Sequence, residues 1–450
     1  MIPVHAGAVR NISDAVCPKK KEQEPSQYCG FRNSDCGIGE EFKMSDHGSR
    51  VTHHDSRFKV KGFLFSGISA GIKKDGKRDL GLIYSEVPAQ VAGLFTTNTL
   101  KAAPVRLDME RLRRGLCQAI IVNSGNANAC TGSQGLKDAK RVSSLVARHL
   151  EIGEELVFPS STGVIGNPLP MKKIEERIPE LVENLSPEGW MNTVEAIMTT
   201  DNFPKVEVAT CRIKGKKVKL CGMVKGAGMI RPNLATMLSF LVTDACVKAP
   251  LLQRMLQKAS EVSYNRITID GETSTNDTVL LLANGRADHP VLDRMDRDGE
   301  AFQSMLLKVC RNLAESLVRD GEGATKFIEI FVRGARNRDD AKRAAYAIAH
   351  SPLVKTAFFG EDANWGRILC ALGHSETRIN PNRIDVFFDK IPIVKNGMGV
   401  GSRLEERAGR ILKNKSFKVI VDLHQGKSAF SVLTTDLSID YVKINASYRS

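Results

Sequence analysis

The sequence predicts a mixed α/β protein, and three observations support this fold class. Short apolar runs rich in β-branched residues alternate with segments whose apolar residues recur at helical spacing, and glycine, asparagine and proline separate the two. The chain has 450 residues, which is enough to bury a sizeable core in two or three domains or in one large layered unit. No run of apolar residues approaches the length of about 18 that a membrane span needs, so none is predicted.

Residues 1–57 are predicted to be a poorly ordered N-terminal extension. They are polar, mixed in charge and rich in turn-forming residues, and they show no hydrophobic periodicity. They lack the apolar core of a secretory signal, and their acidic residues are unlike a transit peptide. Cys17, Cys29 and Cys36 lie near histidines, but their spacing fits no zinc-binding pattern, so no metal is predicted. The 10 cysteines form no CxxC pair, which favours reduced thiols in a cytoplasmic protein.

The segments after residue 57 carry the clearest secondary-structure signals. Strands are predicted where short apolar runs are bounded by polar residues, at 118–123, 278–283, 326–332 and 417–422. Helices are predicted where apolar residues recur three and four positions apart. These two stripes are Val142, Leu145, Val146 and Leu150, and Leu252, Met255, Leu256, Ala259 and Val262. Such stripes are typical of core-facing helices.

Charge and short motifs exclude several classes of function. The net charge is +14, but the basic residues are spread along the chain without a basic tail or interleaved aromatics, so a basic surface is favoured over nucleic-acid binding. Ser69 lies in a G-x-S-x-G pattern, but the polar, turn-like residues after it do not predict the helix that a hydrolase nucleophile requires. No phosphate-binding loop, dinucleotide-binding glycine pattern or HExxH zinc motif is present.

Two polar segments in the first half of the chain are candidate parts of a site. Residues 123–132 (NSGNANACTG) follow a predicted strand and concentrate amides and hydroxyls, although an ordinary surface loop has the same composition. Residues 158–166 (FPSSTGVIG) place Thr162 before Gly163 in a predicted turn, where a hydroxyl and a backbone N–H can point to one spot. Such a pair suits an oxyanion hole, although Ser/Thr/Gly turns are common without that role.

A third candidate segment spans residues 223–245. It combines Lys225, a Gly-Ala-Gly turn, a Pro-Asn corner and Thr236 at the entry to an apolar run that is predicted to be helical. A threonine that caps a helix is the structural alternative for Thr236.

The third segment resembles the signature of the ornithine acetyltransferases, the bifunctional glutamate N-acetyltransferases of arginine biosynthesis. The resemblance extends over residues 59–450 and rests on several blocks in family order. These blocks are 123–132, 161–163 (STG), 199–201 (TTD), 225–230 (KGAGMI), 232–238 (PNLATML), 276–278 (NDT), 320–323 (DGEG) and 362–368 (DANWGRI). It implies a layered α/β sandwich of the type whose members cleave themselves to expose an N-terminal nucleophile.

The resemblance implies self-cleavage between Ala235 and Thr236, which would give an α chain from 58–235 and a β chain from 236–450. A threonine hydroxyl is a weak nucleophile until a base removes its proton, and a freed α-amino group with a pKa near 7.7 can serve as that base. The acetyl group of N²-acetylornithine would then pass through acetyl-Thr236 to glutamate. The resemblance assigns the oxyanion hole to the Thr162 hydroxyl and the Gly163 backbone N–H.

The resemblance also assigns contacts with the amino-acid substrates, whose charged groups need opposite charges when they are desolvated. These substrate-binding residues are Asn202, Lys225, Thr236, Glu322, Asn445 and Ser450. Asn202 and Ser450 stand where relatives usually have threonine. The first replacement loses a hydroxyl, which puts that contact in doubt.

The resemblance implies small-molecule partners, no nucleic acid, no membrane and no bound metal or cofactor. It leaves acetyl-CoA open as a second acetyl donor. It also implies a heterotetramer of two α and two β chains. The alternative enzyme is an amidase or aminopeptidase with an N-terminal nucleophile, which would use water as the acceptor.

Overall fold

The computed structural model describes residues 55–231 and 237–447. The strands within these ranges are β1 (Phe63–Ile68), β2 (Leu80–Phe95), β3 (Leu116–Asn126), β4 (Val157–Val164), β5 (Lys205–Ile213), β6 (Lys216–Lys225), β7 (Leu238–Thr243), β8 (Thr278–Ala283), β9 (Phe327–Ala335), β10 (Asp385–Phe388), β11 (Ile391–Lys395), β12 (Met398–Gly399), β13 (Ser416–Asp422) and β14 (Ser428–Thr435). The helices are α1 (Ala103–Arg111), α2 (Gly132–Leu150), α3 (Met171–Glu183), α4 (Trp190–Ile197), α5 (Ala249–Glu261), α6 (Arg297–Arg319), α7 (Arg338–His350), α8 (Pro352–Phe359), α9 (Trp365–Gly373), α10 (Ser402–Leu412) and α11 (Ile439–Ser447). Short 3-10 helices lie at Ser56–Phe58, Leu112–Arg114, Glu154–Leu156, Tyr264–Arg266 and Pro381–Arg383.

The first sheet contains strands from both sides of the predicted cleavage point. Its order across the described residues is β4-β3-β2-β8-β7-β6-β5, and β1 pairs with β2. The pairs β3/β4 and β7/β8 are parallel, and the remaining pairs are antiparallel. The strands β7 and β8 therefore lie in the middle of this sheet, between β2 and β6.

Helices cover both faces of the first sheet. In β8, Leu281 packs into the core cluster under α5 and α6, whereas Leu280 and Leu282 pack into the cluster that contains α4. Phe58 stacks on Trp190 of α4 with ring centroids 4.1 Å apart. Helices α2 and α3 cover a third cluster against β2 and β3. A strand buried on both faces is apolar along its whole length, which explains the continuous run in β8.

The second sheet is covered on one face by helices from the last quarter of the chain. Its order within the described part is β12-β11-β10-β13-β9-β14, with β9 and β13 parallel. In β9, Ile328, Ile330 and Val332 are fully buried against the cluster that contains α7, α8 and α9. The residues between them are half-buried, so this strand shows the alternation of a one-sided core.

The predicted α/β class is confirmed, and so are the four predicted strands and the two helices predicted from apolar stripes. The predicted runs 118–123 and 278–283 lie in β3 and β8, and 417–422 lies in β13. The run 326–332 lies in β9, which begins one residue later. The stripes at 142–150 and 252–262 lie on α2 and α5, although α5 ends at Glu261. No helix follows Ser69, so the hydrolase context is absent from the described chain around it.

Two secondary-structure predictions are wrong. Residues 157–164 form strand β4 instead of a turn, because they pair in parallel with β3 along their length. The apolar run after Thr236 forms strand β7 instead of a helix. Phe240 and Val242 of β7 enter one core cluster and Leu241 enters the opposite one, so the run is apolar on both faces. A short buried strand and a segment of a buried helix can have the same apolar composition. The pairing of residues 238–243 with β6 and β8 identifies them as a strand.

The structure also bears on the predictions about membrane spans, cysteines and the N-terminal extension. No helix among the residues described is long and apolar enough to cross a membrane. Each cysteine within 55–231 and 237–447 is a free thiol. Residues 1–54, which include most of the predicted extension with Cys17, Cys29 and Cys36, lie outside the described residues. Residues 55–57 begin the described chain, and Ser56–Phe58 is helical.

Packing of α6 on the first sheet predicts a stability difference between two leucines. Leu313 is 1% exposed and lies directly over Gly222 of β6, whereas Leu353 of α8 is 58% exposed. Leu313→Ala is expected to lower the free energy of unfolding by about 2–5 kcal/mol, because the cavity it leaves cannot fully collapse. Leu353→Ala removes the same atoms from the surface and is expected to change it by less than about 0.5 kcal/mol. Urea unfolding of both variants measures the difference, and equal effects would contradict this packing.

Candidate active site

A cavity of about 220 Å³ lies where β4, β6 and α11 approach each other. A second cavity, between α2, α3 and the first sheet, is much smaller, at about 10 Å³. Its walls come from the end of β4, the turn after α4, the loop after β6, the segment before β8, the turn after α6, and α11. The lining residues are Thr162, Gly163, Val164, Ile165, Thr199, Thr200, Lys225, Ala227, Gly228, Met229, Ser274, Asn276, Glu322 and Asn445.

The structure brings together most of the predicted site residues that it describes. Thr162, Gly163, Lys225, Glu322 and Asn445 all line this cavity, although they are spread over 284 positions of the sequence. Asn202 does not line the cavity. Its side-chain Nδ2 donates to Asp320 Oδ1 at 3.0 Å, and the neighbouring Thr199 and Thr200 line the wall instead. Ala235, Thr236 and Ser450 lie outside the described residues.

The described chain resumes beside the cavity after the predicted cleavage point. Leu238 at the start of β7 pairs with Lys225 on one side and with Thr278 on the other. Met237 donates its backbone N–H to Asp277 Oδ1 at 3.2 Å. Cavity residues therefore lie on both sides of β7: Lys225 ends β6, and Asn276 lies two residues before β8.

Lys225 supplies a buried positive charge to the cavity wall. Its side chain is 4% exposed, and its Nζ donates to Thr199 Oγ1 at 2.7 Å and to Thr162 Oγ1 at 3.3 Å. Burial lowers the pKa of Lys225, and the nearby Asp201 carboxylate opposes that effect. An ammonium has three donors, so a contact to a substrate oxygen can add to the two hydroxyl contacts.

Asp201 compensates two buried ammonium groups. It is paired with Lys205 at 2.6 Å, and Lys205 also contacts Asp320. Burial alone would raise the pKa of Asp201, but Lys225 and Lys205 hold it well below its usual range. The same carboxylate accepts the backbone N–H groups of Thr199 at 2.8 Å and Gly226 at 2.7 Å. Asp201 therefore fixes the two loops that carry the cationic side of the cavity.

Glu322 supplies the negative charge on another wall. Its carboxylate accepts from Asn445 Nδ2 at 2.9 Å, and its backbone N–H donates to Ala227 O at 2.7 Å. A β-carbon at Gly228 would lie 2.4 Å from Glu322 Oε2, so the absence of a side chain lets the loop approach the carboxylate. The cavity thus presents one cation and one anion to its contents.

The Thr162-Gly163 pair is held by backbone constraints and by a buried amide. Gly163 has φ +132°, and a β-carbon there would lie 2.3 Å from the backbone of Gly125, so only glycine fits. Asn276 Nδ2 donates to Ser161 O at 2.8 Å, which fixes the residue before Thr162. These contacts hold the pair with the preorganisation that an oxyanion hole requires.

The polar segment 123–132 supports the site from behind instead of lining it. Asn123 accepts the Ser161 hydroxyl at 2.6 Å, and Asn128 donates to Gly135 O at 2.9 Å. Both asparagines are buried, so an ordinary surface loop is the wrong reading of this segment.

No role was predicted for three side chains that lie at the site. Thr199, Asp201 and Asn276 lie in the blocks TTD and NDT, which were singled out only by resemblance. Their clustered hydroxyl, carboxylate and amide groups, next to predicted site residues, were the available signal. No group of three or more His, Cys, Asp or Glu side chains in residues 55–231 and 237–447 is placed to hold a metal ion.

The fold and the cavity define the class of protein. Thr162 and Gly163 beside a buried lysine and a buried glutamate suit acyl transfer between charged amine substrates, and the class is an acyltransferase of mixed α/β fold. The ArgJ family matches residues 64–450. The chain belongs to this family.

Two relatives match most of this chain and all of their own length. An arginine biosynthesis bifunctional protein of Geobacter sulfurreducens is 52% identical over 391 residues, which are 87% of this chain and 100% of the relative. A protein of the same name from Syntrophotalea carbinolica is 52% identical over 394 residues, with the same coverage. A crystal structure of the Bacillus halodurans protein of that name is 42% identical, with TM-score 0.43, over 46% of this chain and 96% of that chain.

The charge network predicts that Asp201→Asn destabilises the fold at neutral pH. Removing one partner of a buried ion pair takes the main compensating charge from Lys225 and leaves Lys205 with Asp320 alone, which costs about 3–5 kcal/mol of unfolding free energy. The pKa of Asp201 is lower in the folded than in the unfolded chain, so its contribution is complete above the unfolded pKa and is lost as pH falls.

Urea unfolding between pH 7 and pH 3 tests this expectation. The difference between parent and Asp201→Asn should shrink below about pH 4. Asp440→Asn is the matched control, because this carboxylate is 67% exposed and pairs only with Lys443 within the described chain. A difference that stays constant down to pH 3 would contradict the assignment.

Proposed function

We propose that this cavity transfers the acetyl group of N²-acetylornithine to glutamate through Thr236, giving ornithine and N-acetylglutamate in arginine biosynthesis. The observation that carries the proposal is that Thr162, Gly163, Lys225 and Glu322 line one cavity although they are far apart in sequence. The names of the relatives support the pathway, and the matched range spans their full length.

Charge complementarity supports amino-acid substrates. The Lys225 ammonium matches a carboxylate, and the Glu322 carboxylate matches an ammonium group. Both charged side chains are at least nine-tenths buried, so a bound amino acid would meet them in a largely desolvated cavity, where charge-assisted hydrogen bonds are strong. A cavity of about 220 Å³ suits a small molecule such as an amino acid.

The proposed reaction has two half-reactions of the same kind. The Thr236 hydroxyl attacks the acetyl carbonyl, its proton passes to the α-amine of the same residue, and the amine of ornithine leaves with a proton. The amine of glutamate then attacks acetyl-Thr236 and regenerates the hydroxyl. Each tetrahedral intermediate carries an oxyanion, which the Thr162 hydroxyl and the Gly163 N–H would stabilise.

The contact between Lys225 and Thr162 determines which hydrogen bonds the Thr162 hydroxyl can make. Because an ammonium can only donate, Thr162 Oγ1 accepts from Lys225, and its own hydrogen is left to donate elsewhere. The cation also strengthens that donor by polarising the hydroxyl. Thr162 therefore suits stabilisation of negative charge in the cavity.

Further parts of the proposal concern the cleaved chains and the cell. We propose that a peptide bond breaks between Ala235 and Thr236, that the two products form a heterotetramer, and that the enzyme works in the cytoplasm without metal or bound cofactor. The relatives are named bifunctional, which is compatible with acetyl-CoA as a second acetyl donor. We further propose that Asn202 contributes to the site through Asp320 instead of through substrate.

Intact mass under denaturing conditions tests the self-cleavage. The parent is expected to yield two chains that meet at residues 235 and 236, whereas Thr236→Ala is expected to remain one chain of 49.4 kDa. Thr210→Ala, an exposed threonine of β5, is the control and should be cleaved like the parent. An uncut parent chain that still transfers acetyl groups to glutamate would show that the α-amine of Thr236 is not the base.

Thr162→Ala tests the oxyanion hole by removing one donor. The expected result is a kcat lower by roughly 10²–10³, with an unchanged thermal unfolding midpoint. Acetyl transfer from acetylornithine is measured with and without glutamate, because release of acetate without glutamate would indicate a hydrolase. Thr210→Ala again provides the control, and a parent-like kcat in Thr162→Ala would remove this residue from the mechanism.

A further inference from the structure

The C-terminal helix α11 lines the cavity although it has almost no apolar packing. Tyr441 is half-buried, and the other residues of Ile439–Ser447 are exposed, with Ile439 at 63% and Val442 at 60%. Asn445 nevertheless reaches the cavity from this helix. Hydrophobic burial therefore contributes little to the position of α11, and polar contacts must hold it.

Tyr441 connects α11 to the loop that follows β6 through Asp270. The Tyr441 hydroxyl donates to Asp270 Oδ2 at 3.2 Å. The same carboxylate accepts the backbone N–H of Met229 at 2.6 Å and that of Ile230 at 2.9 Å. Met229 lines the cavity, so Asp270 joins one cavity wall to the helix that forms another.

A second set of contacts closes this connection into a ring. Asn445 Nδ2 donates both to Tyr441 O at 3.0 Å and to Glu322 Oε2 at 2.9 Å. The backbone N–H of Glu322 donates to Ala227 O, in the same loop after β6. The loop thus contacts α11 by two routes, one through Asp270 and one through Glu322, and the cavity lies between them.

We infer that Asp270 and Tyr441 are positioning residues, which hold α11 so that Asn445 stays on Glu322 and the anionic wall keeps its shape. Both oxygens of Asp270 already accept hydrogen bonds from backbone N–H groups, so this carboxylate serves as an anchor. Neither Asp270 nor Tyr441 lines the cavity, and each acts through another residue. The inference rests on the proposed acetyl transfer for its kinetic readout only.

Tyr441→Phe tests the inference because it removes one hydroxyl and keeps the ring. The loss of a hydrogen bond to a carboxylate should lower kcat/KM for acetylornithine by roughly tenfold, as Asn445 leaves Glu322 in part of the population. The value of kcat should stay within about twofold, since Thr162 and Gly163 are untouched. Asp270→Asn, which weakens the same anchor, should change kcat/KM in the same direction.

Val442→Ala is the matched control, because this side chain is exposed on the same helix and should leave both constants unchanged. Hydrogen exchange of residues 439–447 is measured in parallel and should be faster in Tyr441→Phe than in the parent and in Val442→Ala. Parent-like exchange in Tyr441→Phe would overturn the inference whether or not the protein transfers acetyl groups. A fall in kcat with unchanged KM would overturn it too, whereas an inactive parent would count against the proposed function alone.

Discussion

The site depends on the compensation of two ammonium groups buried close together. Lys205 and Lys225 repel each other and lose hydration on burial, and Asp201 offsets both effects, with Asp320 as a second partner of Lys205. The Asp201 carboxylate also accepts two backbone N–H groups, one before Lys205 and one after Lys225. Charge balance and loop geometry are thus one constraint, and the position of the cation in the cavity follows from it.

A glycine and an asparagine, Gly163 and Asn276, hold another wall of the cavity in place. Gly163 lets two backbones meet where a side chain would collide, and Asn276 holds the strand that carries Thr162. Lys225 then orients the Thr162 hydroxyl from the other side. The polar groups of the cavity are therefore held by a network of buried hydrogen bonds. Such a network fixes a single arrangement only when each of its polar groups has a partner.

Local patterns predicted much of the fold and some of the site, and the failures have physical reasons. Helical spacing identified α2 and α5, and short apolar runs bounded by polar residues identified β3 and β8, because burial leaves these local patterns in the sequence. The strand nature of 238–243 depends on pairing with β6 and β8, which composition does not encode. The role of Asp201 was missed because it depends on burial and on Lys225, which only the fold brings near; Lys205 is four residues away in sequence. Thr162 and Lys225 stood out in polar segments of the sequence, and the resemblance assigned roles to them and to Glu322. Their convergence on one cavity is a property of the fold.

The strand order of the first sheet determines when a cut after residue 235 can occur. Strands β7 and β8 fill the space between β2 and β6, so a fragment that ended at 235 would lack the middle of its own sheet, a gap of roughly 10 Å. Neither fragment could assemble the first sheet by itself. If the chain is cut there, as proposed, the cut would follow the folding of the first sheet, and the folded molecule would perform it on itself. The two products would stay interleaved, and their separation would require the whole sheet to unfold.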